Sequence, residues 1–343
     1  MTILSPEPNR NKDNAIKVRR IENKLGIKGS PTAELVFNNA PAQLVGDRKL
    51  GLIKYVMSLM NGARLGVGAQ SVGLAEAAYR EAVKYANERE QFGKAIINFP
   101  AVMEMLSNMR AKTDAIRTLL YETARAVDMY KSLEAISRER KLENDERATL
   151  KTYSRLADAL TPMLKLFSSE YANQITYDCI QVHGGSGFMK DYACERFYRD
   201  ARILTIYEGT SQLQVVAAIR GVVSGAYVAR IKEYEAIEVR DELKPLRQTL
   251  ISLRESFEQC YEKVKEFGSS SEAFDFNSRR LVEIAGYLIM GNLLVNDANK
   301  DEMFTKSARI MTKIAQAEIE KAITYINNFD ASILEDYKSL IAE

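Results

Sequence analysis

Histidine and cysteine are scarce in this 343-residue sequence, which contains one histidine and three cysteines. The cysteines, Cys179, Cys194 and Cys260, are odd in number and widely spaced, and none forms a CxxC motif. This pattern implies no disulfide framework and favours a reducing, cytoplasmic compartment. We expect no metal site, because a structural zinc site needs more such ligands and a di-iron bundle needs two Glu-x-x-His motifs.

The sequence also lacks an excess of charge of one sign and has no long apolar run. The 48 basic residues nearly balance the 46 acidic residues. This balance argues against a nucleic-acid groove or an acidic-membrane patch, since both require clustered positive charge. No apolar run reaches the roughly 18 to 20 residues that span a bilayer, and the polar start of the chain lacks the apolar core of a secretory signal. We therefore expect neither a nucleic acid nor a membrane as a partner.

The two ends of the sequence predict different structures. Residues 1–46 contain short β-favouring runs interrupted by glycine and proline, which cannot close a sheet alone. Residues 232–343 are helical throughout, and their apolar residues first recur four and three apart. This heptad seam comprises Leu246, Leu250, Leu253, Phe257, Cys260, Val264 and Phe267. It predicts a separate helical unit at the C-terminal end.

The middle of the sequence, residues 47–226, predicts a four-helix bundle. Pro100 suits the first turn of the second helix, and Thr161 followed by Pro162 is the pattern of a helix start for the third. A fourth helix is expected to follow Thr210. The predicted fold is therefore mainly all-α, with short strands only near its beginning.

Two segments of the bundle carry residue types suited to chemistry. In Ile206–Gln212 (IYEGTSQ), glycine follows Glu208 directly, which indicates a tight turn with the carboxylate free to face a cleft. A hydroxyl and an amide in the same segment could hold a polar cofactor. Upstream, Gln181–Phe188 (QVHGGSGF) is a glycine-rich loop of the kind that lets the backbone approach a phosphate closely. His183 within it receives no catalytic role, since a lone histidine is more often structural.

Two further motifs lie earlier in the bundle. Arg89–Gly93 (REQFG) ends the first long helix, and its arginine and aromatic ring could contact a pyrophosphate. Alone, this pattern is equally typical of a helix end with a glycine stop. The segment Met60–Arg64 (MNGAR) places an arginine in the first helix, where a buried salt bridge or a charge at the helix start is the competing explanation.

Together these motifs resemble the C-terminal domain of acyl-CoA dehydrogenases, flavoenzymes that remove two hydrogens from a fatty acyl thioester. The resemblance runs from about residue 21 to residue 224. It implies FAD as cofactor, an acyl-CoA as substrate, electron-transfer flavoprotein as electron acceptor, and a homodimer or homotetramer. It also implies that residues 1–46 are a remnant of the middle β-domain, that 47–226 are the helical bundle, and that 232–343 are the extra helical domain of longer members.

The resemblance also implies roles for individual residues. Glu208 is the base that takes the α-proton of the substrate, while the flavin takes the β-hydride. The implied cofactor-binding residues are Arg89, Gln91, Phe92, Gln181, Gly184, Gly185, Thr210 and Gln212. The implied substrate-binding residues are Asn61, Arg64, Tyr207 and Gly209. Asn61 stands where short- and medium-chain relatives have aspartate, so the resemblance leaves the size of the acyl group open.

Three interpretations of the function remain. The chain is an FAD-dependent acyl-CoA dehydrogenase, an acyl-CoA oxidase that lets oxygen reach the reduced flavin, or a non-catalytic helical scaffold. The helical N-terminal domain of the family and most of its β-domain have no counterpart in this sequence. Since those parts enclose the flavin ring, we expect the isolated chain to bind FAD weakly or not at all, and to be inactive alone.

Overall fold

Short antiparallel β-ladders form the beginning of the chain. The computed structural model describes residues 3–6, 15–51, 56–268 and 271–342. Strand β1 (Ile3–Pro6) pairs with β4 (Ala42–Val45), and β2 (Ile16–Ile21) pairs with β3 (Ala33–Phe37). Both ladders have only two strands, and the side chains of β2 and β3 are mostly exposed. The predicted β-character of this segment is confirmed.

Two long helices begin the bundle. Helix α1 (Met57–Glu88) is followed by a short hairpin of β5 (Glu90–Gln91) and β6 (Lys94–Ala95), and then by α2 (Pro100–Glu139). The buried face of α1 is largely small, with alanines that are fully buried: Ala75, Ala78, Ala82 and Ala86. Small side chains let α1 approach α3, and at Gly68 an added Cβ would lie 2.7 Å from a methyl of Leu164.

Helix α3 (Asn144–His183) is the centre of the bundle, and one prediction about its start was wrong. Its N-terminus is at Glu143, where a reciprocal capping box with Glu146 satisfies the first backbone N–H groups. The predicted start at Thr161 and Pro162 instead lies in the middle of the helix. A proline there costs about 3 kcal/mol. Both residues are buried among core side chains, so tertiary packing overrides the local signal.

Three shorter helices follow. They are α4 (Ala193–Ala201), α5 (Ser211–Val223) and α6 (Ala226–Glu235). The start of α5 follows the sequence prediction, because Thr210 is its N-cap and accepts a hydrogen bond from the Leu213 N–H at 3.4 Å. This cap fixes the end of the segment that carries Glu208.

The C-terminal part contains α7 (Lys244–Glu266), α8 (Glu272–Lys300), α9 (Thr305–Asn327) and α10 (Ile333–Ala342). Helix α8 is long and apolar enough to cross a membrane by length and composition alone. However, 83% of its most apolar 18-residue window is buried inside the protein. Its apolar character is therefore explained by its place at the centre of these helices.

The predicted seam on α7 is buried over most of its length, from Leu250 to Val264. Helices α7, α8 and α9 share one continuous cluster of buried side chains with the bundle. Contact is close where Gly286 of α8 meets Phe167 of α3, since a Cβ on that glycine would lie 2.0 Å from the aromatic ring. The mainly all-α fold class is confirmed, with the C-terminal helices packed directly onto the bundle.

Candidate functional site

Glu208 lies on a strained turn before α5. Its φ is +56° and that of Gly209 is +96°, so two consecutive residues have the left-handed backbone conformation. Glycine adopts this conformation freely, but glutamate adopts it at a cost and persists there only where the surroundings hold it. The Glu208 side chain is half-buried. Residues Tyr207–Thr210 are called the Glu208 turn below.

Three side chains from other parts of the bundle hold the backbone of this turn. Arg64 of α1 donates from Nε to the Glu208 carbonyl at 3.1 Å. Lys165 of α3 donates from Nζ to the Gly209 carbonyl at 2.6 Å. Gln214 of α5 donates from Nε2 to the Gly209 carbonyl at 3.0 Å and to the Glu208 carbonyl at 3.3 Å. Donors from three helices therefore fix the position of the carboxylate-bearing residue.

Arg64 and Lys165 also place positive charge beside Glu208. Burial lowers the pKa of Arg64, and the charge of Glu208 opposes that change. Burial and the neighbouring Arg64 lower the pKa of Lys165 to about 8, while Glu170 and Glu208 act in the opposite direction. A cavity of about 790 Å³ opens beside Arg64, between α3, α5 and α6. The turn therefore combines a carboxylate with one buried and one half-buried cation, and a cavity lies beside the half-buried one.

Sequence reasoning identified Arg64 but missed Lys165 and Gln214. Both missed residues are 0% exposed. A signal for Lys165 was present, because it interrupts an apolar run of helix residues, Met163–Phe167. No comparable signal marks Gln214, which lies near the start of α5 and bonds carbonyls five and six residues before it.

Other residues assigned to the substrate and cofactor lie at the same place. Tyr207 donates from its hydroxyl to Oε1 of Gln70, and burial, with a smaller contribution from Glu208, raises its pKa. Thr210 caps α5, and Gln212 is exposed in the first turn of that helix. Asn61 lies in α1, but its side chain is outside the part of the chain that the structure describes.

The remaining predicted cofactor residues form a second cluster at the other end of the bundle. The glycine loop, Gly184–Phe188, follows α3 as a 3-10 turn. At Gly184 and Gly185 an added Cβ would meet nothing within 4 Å, so the chain itself leaves space over their backbone. Gln181 beside them is exposed. Such a surface is suited to the close approach of a phosphate.

The hairpin after α1 lies at this same end. Arg89 and Gln91 are exposed, and Phe92 is 93% exposed with a φ of +50°. Tyr85 in the last turns of α1 connects the hairpin end to the glycine loop, because its hydroxyl lies 3.2 Å from Oγ of Ser186. The structure therefore brings the REQFG and QVHGGSGF motifs together.

The two clusters are far apart within one chain. Arg64 contacts the Glu208 turn, whereas Tyr85 contacts the glycine loop, and both belong to the uninterrupted helix α1. At a rise of about 1.5 Å per residue they lie about 30 Å apart along the helix. One flavin cannot contact all of its predicted residues in a single copy of the chain unless it bridges that distance.

Beneath the glycine loop, the fold groups three residues whose proximity the sequence did not predict. Cys179, His183 and Cys194 are buried, and their possible ligand atoms lie within 4.8 Å of one another. Burial raises the pKa of both thiols, which keeps them protonated. Nδ1 of His183 lies 2.7 Å from the Cys179 carbonyl, and its ring stacks on Tyr85 at 4.2 Å. This bonding supports the structural role predicted for His183.

Comparison with known proteins places these features in a family. Residues 53–222 match the family model of the acyl-CoA dehydrogenase C-terminal domain, and residues 223–334 match a second acyl-CoA dehydrogenase C-terminal model. The acryloyl-CoA reductase (NADH) of Anaerotignum propionicum is 39% identical over 208 residues, which are 60% of this chain and 46% of that protein. The subunit CarC of the caffeyl-CoA reductase–Etf complex of Acetobacterium woodii is 34% identical over 207 residues, 59% of this chain and 48% of that protein.

A solved structure resembles nearly the whole chain. The acyl-CoA dehydrogenase of Bacillus anthracis, complexed with FAD, superposes with a TM-score of 0.73 at 25% identity, covering 96% of this chain and 60% of that one. The chain spans about half the length of the curated relatives it matches. Two adjoining family models, the shared helical fold and the motifs around Glu208 agree: the chain belongs to the acyl-CoA dehydrogenase family.

Proposed function

We propose that this chain supplies the base and part of the flavin site of an FAD-dependent enzyme that acts on the α,β-bond of an acyl-CoA thioester. In this proposal Glu208 moves the α-proton of the substrate. The observation that carries the proposal is the Glu208 turn, in which Arg64, Lys165 and Gln214 hold a glutamate in the left-handed conformation. Three convergent donors from separate helices are more than a surface turn needs.

The chemistry explains why such a carboxylate is useful. The α-proton of a thioester is weakly acidic, so the base must be held within hydrogen-bond distance of it. Developing negative charge on the thioester oxygen also needs donors aimed at it, and the backbone N–H of Glu208 is the donor we assign. The cations of Arg64 and Lys165 lie beside this position and favour negative charge there.

The glycine loop and the hairpin fit the pyrophosphate of FAD. Gly184 and Gly185 leave their backbone open, Arg89 offers a guanidinium group, and Phe92 exposes an aromatic ring. When bound, FAD supplies the acceptor for the β-hydride, which no side chain can provide. Thr210 and Gln212 would hold the cofactor near the Glu208 turn. For the chain alone we still expect weak FAD binding.

Whether the enzyme oxidises or reduces its acyl-CoA depends on its electron partner as well as on the site. We propose dehydrogenation of a saturated acyl-CoA, in which Glu208 accepts the α-proton. Two similar proteins bear the names of reductases, which supports the reverse reaction as the second candidate. In that direction the same carboxyl group donates the α-proton. An oxidase that passes electrons to oxygen remains a third interpretation.

We also propose that the active form is a homodimer or homotetramer. The separation of about 30 Å along α1 supports this, because Arg89, Phe92 and Gln181 would then serve the flavin of a neighbouring subunit. Electron-transfer flavoprotein is the proposed electron partner, supported by the Etf complex named for the Acetobacterium woodii relative. The proposed location is the cytoplasm.

The test is exchange of the α-protons of butyryl-CoA into D2O, followed by mass spectrometry with the full chain and excess FAD. Exchange requires the base and is common to oxidation and reduction, so the assay does not depend on direction. Glu208→Gln keeps the shape of the side chain but cannot accept the proton, so exchange should fall by roughly 10² to 10⁴-fold.

Glu195→Gln is the control, because Glu195 belongs to α4 and its carboxylate pairs with Arg199 of the same helix. It should exchange at the rate of the unmodified chain. The proposal fails if Glu208→Gln exchanges the α-protons at a near-normal rate while its circular dichroism is unchanged.

A further inference from the structure

Lys165 is a buried lysine that the proposed proton transfer does not use. Its side chain is 0% exposed and interrupts an apolar run in α3. Full burial of a lysine is rare, because removing an ammonium group from water costs several kcal/mol unless a partner compensates. Its Nζ donates to the Gly209 carbonyl at 2.6 Å. A buried cation is thus directed at the residue after Glu208.

The charged groups around Lys165 come from three elements. Arg64 of α1 repels its charge, while Glu170 of α3 and Glu208 of the turn attract it. Glu170 also accepts a hydrogen bond from Ser211 Oγ at 2.5 Å, so it is tied to the first residue of α5. The charge of the ammonium group is therefore partly compensated by two carboxylates, Glu170 and Glu208.

Gln214 shows that the turn requires its donors. This side chain uses Nε2 for the carbonyls of both Glu208 and Gly209. Its Oε1 is buried and, within the part of the chain that the structure describes, has no hydrogen-bond partner. A buried acceptor without a partner costs about 1–3 kcal/mol. Gln214 therefore donates to the carbonyls of the turn although its own Oε1 accepts no hydrogen bond within the described part of the chain.

We propose that Lys165 is the positioning residue that keeps Glu208 in its left-handed conformation, by donating from its ammonium group to the Gly209 carbonyl. Of the two donors to this carbonyl, Lys165 is the closer and the charged one. A charge-assisted hydrogen bond is roughly twice as strong as a neutral one. Removing the charge should therefore loosen the turn without removing the helices around it. The catalytic meaning of this role rests on the proposed function of Glu208.

Protonation of Lys165 then controls the rigidity of the turn. Burial, reinforced by Arg64, lowers the pKa of this lysine to about 8. Below that pH the donor is an ammonium group, and above it the donor is a neutral amine that makes a weaker hydrogen bond. Local opening of the turn breaks the hydrogen bond to Gly209 while Lys165 stays buried, so the turn should become less protected as the pH rises through about 8. Global unfolding exposes the lysine and has the opposite pH dependence.

Amide hydrogen exchange of the full chain tests this inference without substrate or flavin. Lys165→Met keeps the length of the side chain but removes charge and donor. We expect exchange in a peptide covering residues 203–214 to become roughly 10-fold faster, because the hydrogen bond to Gly209 is lost. Lys165→Gln, which keeps a neutral donor, should give an intermediate rate.

Lys112→Met is the matched control. Lys112 is a half-buried lysine whose pKa is likewise lowered by burial, but its Nζ donates to Gln174 at 2.9 Å. It should leave the exchange of residues 203–214 unchanged. Equal protection of the turn in Lys165→Met and the unmodified chain would overturn the inference.

A pH series distinguishes positioning from general packing. After correction for the intrinsic exchange rate, protection of residues 203–214 should fall between pH 7 and 9.5 in the unmodified chain and stay constant in Lys165→Met. If Lys165→Met does not fold, the pH series of the unmodified chain is the test. Protection of residues 203–214 that does not change with pH then overturns the inference. A loosened turn in Lys165→Met together with normal proton exchange in Glu208→Gln would uphold this role while refuting the proposed function.

Discussion

The Glu208 turn and the glycine loop differ in whether their contacts come from the same chain. The turn is held by three side chains of the same chain, two of them fully buried. The glycine loop and the Phe92 side chain are exposed, and space lies over Gly184 and Gly185. The turn is therefore an internal structure fixed by folding, whereas the loop is a surface whose partner must come from outside the chain. Substitutions should affect stability at the first and binding at the second.

Gly209→Ala should have the largest effect on stability. The φ of Gly209 is +96°, and an added Cβ would lie 2.7 Å from Nε2 of Gln214, which must then move. We expect the free energy of unfolding to fall by about 2–3 kcal/mol. Urea denaturation followed by circular dichroism measures this change. A loss below about 0.5 kcal/mol would show that the turn is less rigid than its hydrogen bonds indicate.

The second prediction concerns the pH dependence of stability at Lys165. The folded chain holds this lysine at a pKa of about 8, below the ordinary value of 10.5. Between these values the unfolded chain binds more protons than the folded chain, so the contribution of Lys165 to stability increases with pH. The difference in unfolding free energy between the unmodified chain and Lys165→Met should therefore rise by on the order of 1–2 kcal/mol from pH 7.5 to 10.

Urea denaturation of both chains at the two pH values measures that difference. Other groups that titrate in this range affect both chains equally and cancel. A difference that falls or stays constant with pH would place the titration of Lys165 outside this window. Lys112→Met provides the comparison for a lysine away from the turn.

Gly185→Ala should affect binding but not folding. Because an added Cβ would meet nothing within 4 Å and the φ of Gly185 is not in the left-handed region, the unfolding free energy should change by less than about 0.5 kcal/mol. Binding of FAD, followed by its fluorescence, should weaken by roughly 10-fold if the phosphate approaches this backbone. A loss of stability instead would mean that other residues of the chain pack against Gly185.

Phe92→Ala should have the smallest effect on the isolated chain. The ring is 93% exposed and contacts Phe99 only edge to face at 6.3 Å. We expect no change in the unfolding free energy beyond about 0.5 kcal/mol. If the ring packs on a neighbouring subunit or its flavin, sedimentation at micromolar concentration should show a weaker oligomer or a lower flavin content. Identical behaviour by both measures would remove Phe92 from the proposed site.

Local sequence signals predicted the parts of the fold that depend on local structure. Thr210 caps α5 and Pro100 begins α2, because capping and proline geometry act within one turn. The same logic was wrong at Pro162, where packing on every side keeps α3 continuous. Lys165 reaches the turn only through tertiary structure, so its interruption of an apolar run marked it as unusual without giving its role. The family motif located Glu208, but the sequence did not show that buried donors hold it.

Helix α1 connects the two regions, and its continuity limits how the gene can change. A residue inserted between Arg64 and Tyr85 would lengthen the helix by about 1.5 Å and rotate everything beyond it by about 100°. One end of α1 contacts the Glu208 turn and the other contacts the glycine loop. Such a rotation would break at least one of these two contacts. Exposed positions of α1 can therefore vary in residue type, but the number of residues between its two ends is fixed.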